Sequence, residues 1–285
     1  MTKNFNYFFQ AVVIYFLYIL GLILGKTLSK KIFSSIFSTI GPYFKSKKII
    51  NENLSIFKDN LSDRERDTIV SNMWKNYGKT FIEYIYLGFY RKNNSHIVIE
   101  GEEIIRDIIK KNKPVIFISG HFSNFELMSM EISKKNIKLA TIYRPLNNFF
   151  LNPLMEFLRR KYVCKNQIRK GFSGVRESIE YINKGYSIAL MIDQRVSEGE
   201  KINFFGKPAL TTTLPAQLSL KFGLPIIPVF IERLNDKRFK IKFYDKIYSN
   251  DFSNKIEIST KLNQVLEKMI EKNPNEWIWT HNRWK

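Results

Sequence analysis

From Phe8 to Gly25 the chain runs eighteen residues in which the only strongly polar side chain is Gln10. As a helix this stretch is roughly 27 Å long at about 1.5 Å per residue, against a hydrocarbon core of about 30 Å. Apolar residues occur all around it, so it has no wet face of the kind an interfacial helix carries. Residues 27–40 read as a short amphipathic stretch ended by Gly41-Pro42. Ser62 followed by Glu65 is a capping box, opening a helix to about Tyr90 whose apolar face includes Ile69, Met73, Trp74, Tyr77, Phe81, Ile82 and Tyr84. The pattern then changes. Pro114–Ser119 is a continuous apolar run, as expected of a strand buried on both faces, and similar runs recur at 138–143, 186–192 and 225–231. Helix-like segments at 124–135, 147–162, 173–184 and 212–222 lie between them. Residues 238–244 add an antiparallel edge strand and 255–272 a last helix. The alternation predicts an α/β fold: a mostly parallel central sheet flanked by helices on both faces, behind an amino-terminal membrane helix and a helical segment. The division is an anchor over 1–26 and one domain over 27–285, with 27–112 mainly helical and membrane-facing and 113–285 the α/β core.

The flanks of the apolar run decide what kind of segment it is. Only Lys3 precedes it, and Lys26, Lys30 and Lys31 follow where a small-residue cleavage site would lie, so it reads as a retained anchor rather than a secretory signal. Residues 26–48 carry six lysines and no acid, against one lysine in residues 1–7, which puts the main body on the cytoplasmic side. The same lysines would grip anionic headgroups. Cys164 is the only cysteine, so an intrachain disulfide and a cysteine-based metal site are both excluded, and it reads as a core filler. The 46 Lys and Arg against 26 Asp and Glu give a net charge of +20, which suits nucleic acid, anionic lipid or an acidic carrier protein. Charge alone does not choose among them, and no nucleic-acid motif is present.

The richest chemistry lies in Ile118-Ser-Gly-His-Phe-Ser-Asn-Phe-Glu-Leu127, directly after the first buried run. Ligands in open α/β sheets bind at the carboxyl ends of strands, and His121 falls there. Glu126 is five residues on, about 140° around an uninterrupted helix, so the two would not share a face. With His121 on the loop and Glu126 on the early helix, the carboxylate would reach back to the imidazole, fix its tautomer and stabilise imidazolium. A loop histidine beside an unrelated glutamate fits the spacing as well.

The setting Gly-His-Phe-x-Asn-x-Glu-Leu resembles the late acyltransferases of lipid A biosynthesis, of the lauroyl and myristoyl type. They belong to the wider lysophospholipid acyltransferase-like group, most of which carry His-x4-Asp. Further segments resemble that family in order: Tyr143-Arg144-Pro145, then Arg159 or Arg160, then Ile192-Asp193-Gln194. Phe204-Phe205-Gly206-Lys207-Pro208-Ala209 with Thr211-Thr212 resembles a loop entering the next helix, and Trp277-Ile-Trp-Thr-His-Asn-Arg-Trp284 resembles the family's tail. The resemblance implies transfer of an acyl chain from acyl carrier protein to a hydroxyl of the lipid A precursor at the bacterial inner membrane, on the cytoplasmic face. It implies His121 and Glu126 as catalytic residues. No cofactor is required beyond the carrier thioester, and no metal is suggested.

Seven basic residues and no acidic one lie from Arg159 to Arg176. They fit a solvated helix face, and equally a site for phosphates of an anionic glycolipid or for the acidic carrier. Arg144 and Arg169 have family counterparts, so the substrate-binding set is Arg144, Arg159, Arg160, Arg169, Asp193 and Gln194. Asp193 would orient an arginine or a substrate hydroxyl, or only cap a turn. His281, among tryptophans, reads as structural or interfacial, with a direct catalytic role as the lesser alternative, and His96, in a polar loop, as exposed. The rivals are an acyltransferase acting on a lysophospholipid or lipid-linked saccharide with acyl-CoA, and a non-catalytic basic protein bound to the membrane.

Overall fold

The structure, a computed structural model, describes residues 2–285. Helix α1 (Thr2–Phe44) holds the apolar run, and its one non-helical residue is Gly25, at φ 73° and ψ 162°. That left-handed conformation is open to glycine at no steric cost, and it divides the apolar stretch from the lysine-bearing one where composition changes. The chain does not stop at Gly41-Pro42: the helix runs on to Phe44, with Pro42 in its last turn. It is long and apolar enough to cross a membrane. It also leans on the domain along its length. The Asn148 side chain donates to the Tyr7 carbonyl at 2.8 Å, Tyr15 donates to that of Phe150 at 2.9 Å, and Tyr86 to that of Gly21 at 2.6 Å.

Helices α2 (Lys47–Phe57) and α3 (Asp63–Glu83) follow, the latter opened by the predicted Ser62–Glu65 capping box. At Gly78 a Cβ would lie 2.2 Å from the Phe33 carbonyl oxygen, so only glycine lets α3 approach the α1 backbone this closely. The single helix expected to Tyr90 is broken by a 3-10 turn, Tyr84–Tyr86, before α4 (Leu87–Lys92). The tighter turn sends the two tyrosines to different partners, Glu126 for Tyr84 and α1 for Tyr86.

The core then alternates β1 (Ile97–Glu100), α5 (Glu102–Lys111), β2 (Ile116–Ser119), α6 (Glu126–Lys134), β3 (Leu139–Tyr143), α7 (Asn152–Leu158), β4 (Asn166–Arg169), α8 (Phe172–Asn183) and β5 (Ser187–Met191). A hairpin, β6 (Glu200–Phe204) and β7 (Lys207–Thr211), precedes α9 (Leu214–Phe222), β8 (Ile226–Arg233), β9 (Phe239–Phe243) and α10 (Lys255–Lys272). Seven strands form one sheet in the order β1-β9-β8-β2-β5-β3-β4. Pairing is parallel except between β8 and β9. All four residues of β2 are buried, as are the first six of β8, so both faces of the sheet's centre are covered.

Four expectations need correction. Residues 238–244 do supply an antiparallel strand, but β1 lies outside it, so it is not the edge. The helix placed at 147–162 begins at Asn152, where Pro153 occupies the first turn, and closes in a π-turn, Arg159–Val163. The segment 204–209 is a hairpin turn rather than a loop, with Phe205 and Gly206 both at positive φ, as a two-residue primed turn requires. His96 is buried, not exposed, beneath the Tyr90 ring.

Candidate active site

Four parallel strands in the order β2-β5-β3-β4 end side by side, and each delivers a polar residue at its exit. His121 follows β2, Asp193 and Gln194 follow β5, Arg144 follows β3 and Lys170 follows β4. Registers of Ser119 with Met191 and of Tyr143 with Arg169 level these exits. They open into a cleft of about 570 Å³ lined by His121, Glu126, Arg144, Arg159, Lys170, Gln194 and His281. Its lining also includes Met128 of α6, Val163, and Ala189 and Leu190 of β5, four buried apolar residues.

The partner of the imidazole is Asp193. Its Oδ1 lies 2.8 Å from His121 Nδ1, while its Oδ2 accepts from the His121 backbone N–H at 2.7 Å and from the Trp277 indole N–H at 3.0 Å. Asp193 is buried. Burial alone would raise its carboxyl pKa, but the His121 charge and these hydrogen bonds outweigh it and keep the group below the usual carboxylate value. An ionised carboxylate at Nδ1 fixes the proton there and leaves Nε2 as the acceptor for the cleft.

Glu126, the residue expected on the imidazole, is turned elsewhere. It is the first residue of α6, and its carboxylate takes the Arg159 guanidinium at 2.7 Å and the Tyr84 hydroxyl at 2.7 Å. Burial works against the Arg159 charge, yet Glu126 and Tyr84 hold its pKa above the ordinary arginine value. The rotation estimated for five helical residues is not the obstacle, because His121 is on the loop as expected. Asp193 already fills the position at Nδ1.

The His121 loop is held from several sides. Ser123 sits at φ 47°, its N–H donates to the Glu276 carbonyl at 3.3 Å, and its carbonyl accepts from Thr80 at 3.0 Å. Asn124 donates at 3.0 Å to Glu83, which is buried and bound through both oxygens to Arg233 at 2.7 and 3.0 Å. A residue in the left-handed region persists where its surroundings over-determine it.

The predicted arginines separate. Arg159 lines the cleft but is spent on Glu126, and Arg169 points to Glu156 at 3.0 Å and to the Tyr143 hydroxyl at 3.3 Å. Arg160 faces a different depression, with Arg91, Lys138, Lys161 and Lys165. Among the described residues Arg144 makes no ion pair or side-chain hydrogen bond, and it stands beside Lys170 at the mouth. The basic run is therefore not one helix face: it passes through the π-turn, β4 and α8. Among the described residues no three His, Cys, Asp or Glu side chains converge as a metal site would need.

Two further residues of the cleft were not in the expected site set. Lys170 lay in the basic run, but the strand it follows has Ile168 as its only apolar residue and so did not mark an exit. His281 lines the cleft, and the tryptophans around it are core: Trp277 and Trp279 are buried, so the tail is not an interfacial belt. Burial pushes both His96 and His281 down to about 4 from an ordinary 6.5. A histidine held neutral by the fold contributes stability that is full above the unfolded value and lost as pH falls from 6.5 towards 4. Urea midpoints should thus drop between pH 7 and pH 5, with His96 contributing roughly 1–2 kcal/mol. His96→Leu should flatten that slope; an unchanged slope would show that His96 does not titrate this way.

The model of the bacterial lipid A biosynthesis acyltransferase family matches residues 2–285, and the chain belongs to that family. It is an acyltransferase of lipid A biosynthesis. Lipid A biosynthesis acyltransferase 2 of Shigella flexneri is 22% identical over 242 residues, which are 82% of this chain and 76% of that protein. The lipid A biosynthesis palmitoleoyltransferase of Escherichia coli K12 is 23% identical over 253 residues, 86% of this chain and 80% of that one. The lauroyltransferase of the same organism is 23% identical over 244 residues, 84% and 78% of the two chains.

Proposed function

We propose that this protein moves a fatty acyl chain from an acyl carrier protein thioester to a hydroxyl of a phosphorylated lipid A precursor, with His121 as general base. The observation that carries this reading is the Asp193-held imidazole at the exit of β2, facing a cleft with two cations at its mouth and an apolar interior. His121 Nε2 takes the hydroxyl proton as the oxygen attacks the thioester carbonyl carbon. The tetrahedral intermediate then collapses, the carbon–sulfur bond breaks, and the imidazolium returns its proton to the departing thiolate. The acyl chain lies among Met128, Val163, Ala189 and Leu190, and Arg144 with Lys170 takes an acceptor phosphate. Residues 8–25 anchor the body to the inner membrane on its cytoplasmic face; the lysines of 26–48 support this side. The net charge of +20 suits an acidic carrier as donor.

The test compares donors and acceptors. Carrier thioester should give a higher kcat/KM than acyl-CoA of the same chain length. Charge-assisted hydrogen bonds contribute about 1.5–3 kcal/mol each, so Arg144→Ala should raise KM for a phosphorylated acceptor roughly ten- to a hundredfold. On the dephosphorylated acceptor the same substitution should change little. Wild-type kinetics for both Arg144→Ala and Lys170→Ala on both acceptors would refute the phosphate site, and equal use of acyl-CoA would refute the carrier as preferred donor.

A further inference from the structure

We infer that His281 donates a hydrogen bond from Nδ1–H to the acyl carbonyl oxygen, as a neutral group facing the attack led by His121. The inference rests on the acyl-transfer reading above.

The tautomer follows from one contact. The backbone N–H of Arg195 donates to His281 Nε2 at 2.8 Å. A backbone amide has only a donor to offer, so Nε2 carries a lone pair, and the neutral ring has its proton on Nδ1. Burial, set against the Asp193 charge and reinforced by Arg283, keeps the ring neutral at physiological pH. The residue is also fixed in place. Its N–H donates to the Ile278 carbonyl at 3.4 Å, and its own carbonyl accepts from Asn53 of α2 at 2.8 Å. The neighbouring Thr280 hydroxyl is tied to Tyr77 at 3.0 Å.

What Nδ1–H meets is indicated by its place in the cleft and by how the cations around it are held. His281 lines it together with His121, and among the described residues Nδ1 has no acceptor. Of the cationic donors nearby, Arg159 is held by Glu126 and Tyr84, and Arg169 by Glu156 and Tyr143. The Arg195 guanidinium is turned to the Lys285 carbonyl at 3.0 Å. Arg144 and Lys170 stand at the exits of β3 and β4, whereas His121 stands at that of β2, with β5 between. A rigid neutral donor on the His121 side is the group that can meet charge developing on the carbonyl oxygen without reorganising. A neutral imidazole serves this role because it polarises a carbonyl without giving up its proton.

Two amide substitutions separate this role from a purely structural one. In His281→Asn the amide occupies the place of Nδ1 and keeps a donor to the cleft. In His281→Gln the amide oxygen occupies the place of Nε2, keeps the Arg195 contact and removes the cleft donor. With full-length protein in detergent and an acyl-carrier thioester, His281→Gln should lower kcat about 10²–10³-fold, the usual cost of one such donor, and move KM less than about threefold. His281→Asn should retain kcat within about tenfold of wild type. If His281→Gln turns over like wild type, or if His281→Asn is as slow as His281→Gln, the inference is wrong. His121→Ala is run alongside. Normal turnover there would fail the acyl-transfer mechanism itself, whereas an inactive His121→Ala beside an unaffected His281→Gln would fail this inference alone.

Discussion

Asp193→Asn should lower turnover about 10⁴-fold while leaving the protein folded. The size follows from which atoms the carboxylate holds. Oδ2 accepts from two N–H groups, the His121 amide and the Trp277 indole, and Oδ1 faces His121 Nδ1. An asparagine that keeps the first two bonds must place its oxygen at the Oδ2 position. Its NH₂ then points at Nδ1 and donates to it, which drives the imidazole proton to Nε2. A ring protonated at Nε2 cannot accept the proton of an acceptor hydroxyl. Losses of about 10⁴ are the known consequence of a wrong tautomer in such pairs. Glu126→Gln, by contrast, breaks a contact to Arg159 and Tyr84 and leaves the imidazole held, so it should cost at least about tenfold less than Asp193→Asn. Steady-state kinetics of the two variants, with circular dichroism to confirm folding, decide between the carboxylates. An equal or larger loss in Glu126→Gln would assign the orienting role to Glu126.

His121→Ala should reduce kcat about 10²–10⁴-fold, the range of a general base, or roughly 3–5 kcal/mol in the barrier. KM for both substrates should move little, because the cleft's cations and apolar interior are untouched. The substitution leaves Asp193 without its imidazole. The residue 121 backbone N–H and Trp277 still donate to its Oδ2, so the carboxylate keeps two partners and the fold should hold. Near-normal turnover in a folded His121→Ala protein would remove the imidazole from the mechanism.

The elements that carry the site were legible because their signals are local. Short continuous apolar runs such as Val115–Ile118, spaced between helix-like segments, fit strands buried on both faces, and four of them marked the centre of the sheet. Strands β1 and β4 were missed because they are four residues each, on the two edges: β1 is too short to show a period, and β4 is also too mixed in polarity. His121 was legible from its place after a buried run. Its partner was not, because the β5 exit is beside the β2 exit only through a sheet order that puts β5 between β2 and β3. The family resemblance pointed to Glu126, five residues away, and nothing local pointed to Asp193, seventy-two residues away. The basic run shows a related limit. Composition located the cations, but which are free was set by Glu126 and Glu156, carboxylates that reach Arg159 and Arg169 across different elements. The tail deceived for a further reason. Tryptophans at a membrane boundary and tryptophans in a core look alike in sequence, and Trp277 proved to be a hydrogen-bond donor to the buried aspartate.

Mass spectrometry of a phosphorylated lipid A precursor, incubated with purified protein and an acyl-carrier thioester, tests the central claim most directly. Wild-type protein should add the mass of one ester-linked acyl chain to the acceptor and release the carrier as free thiol, and folded His121→Ala should leave the acceptor unchanged over the same interval. An acceptor unchanged by wild-type protein, or acylated equally by His121→Ala, would contradict the account.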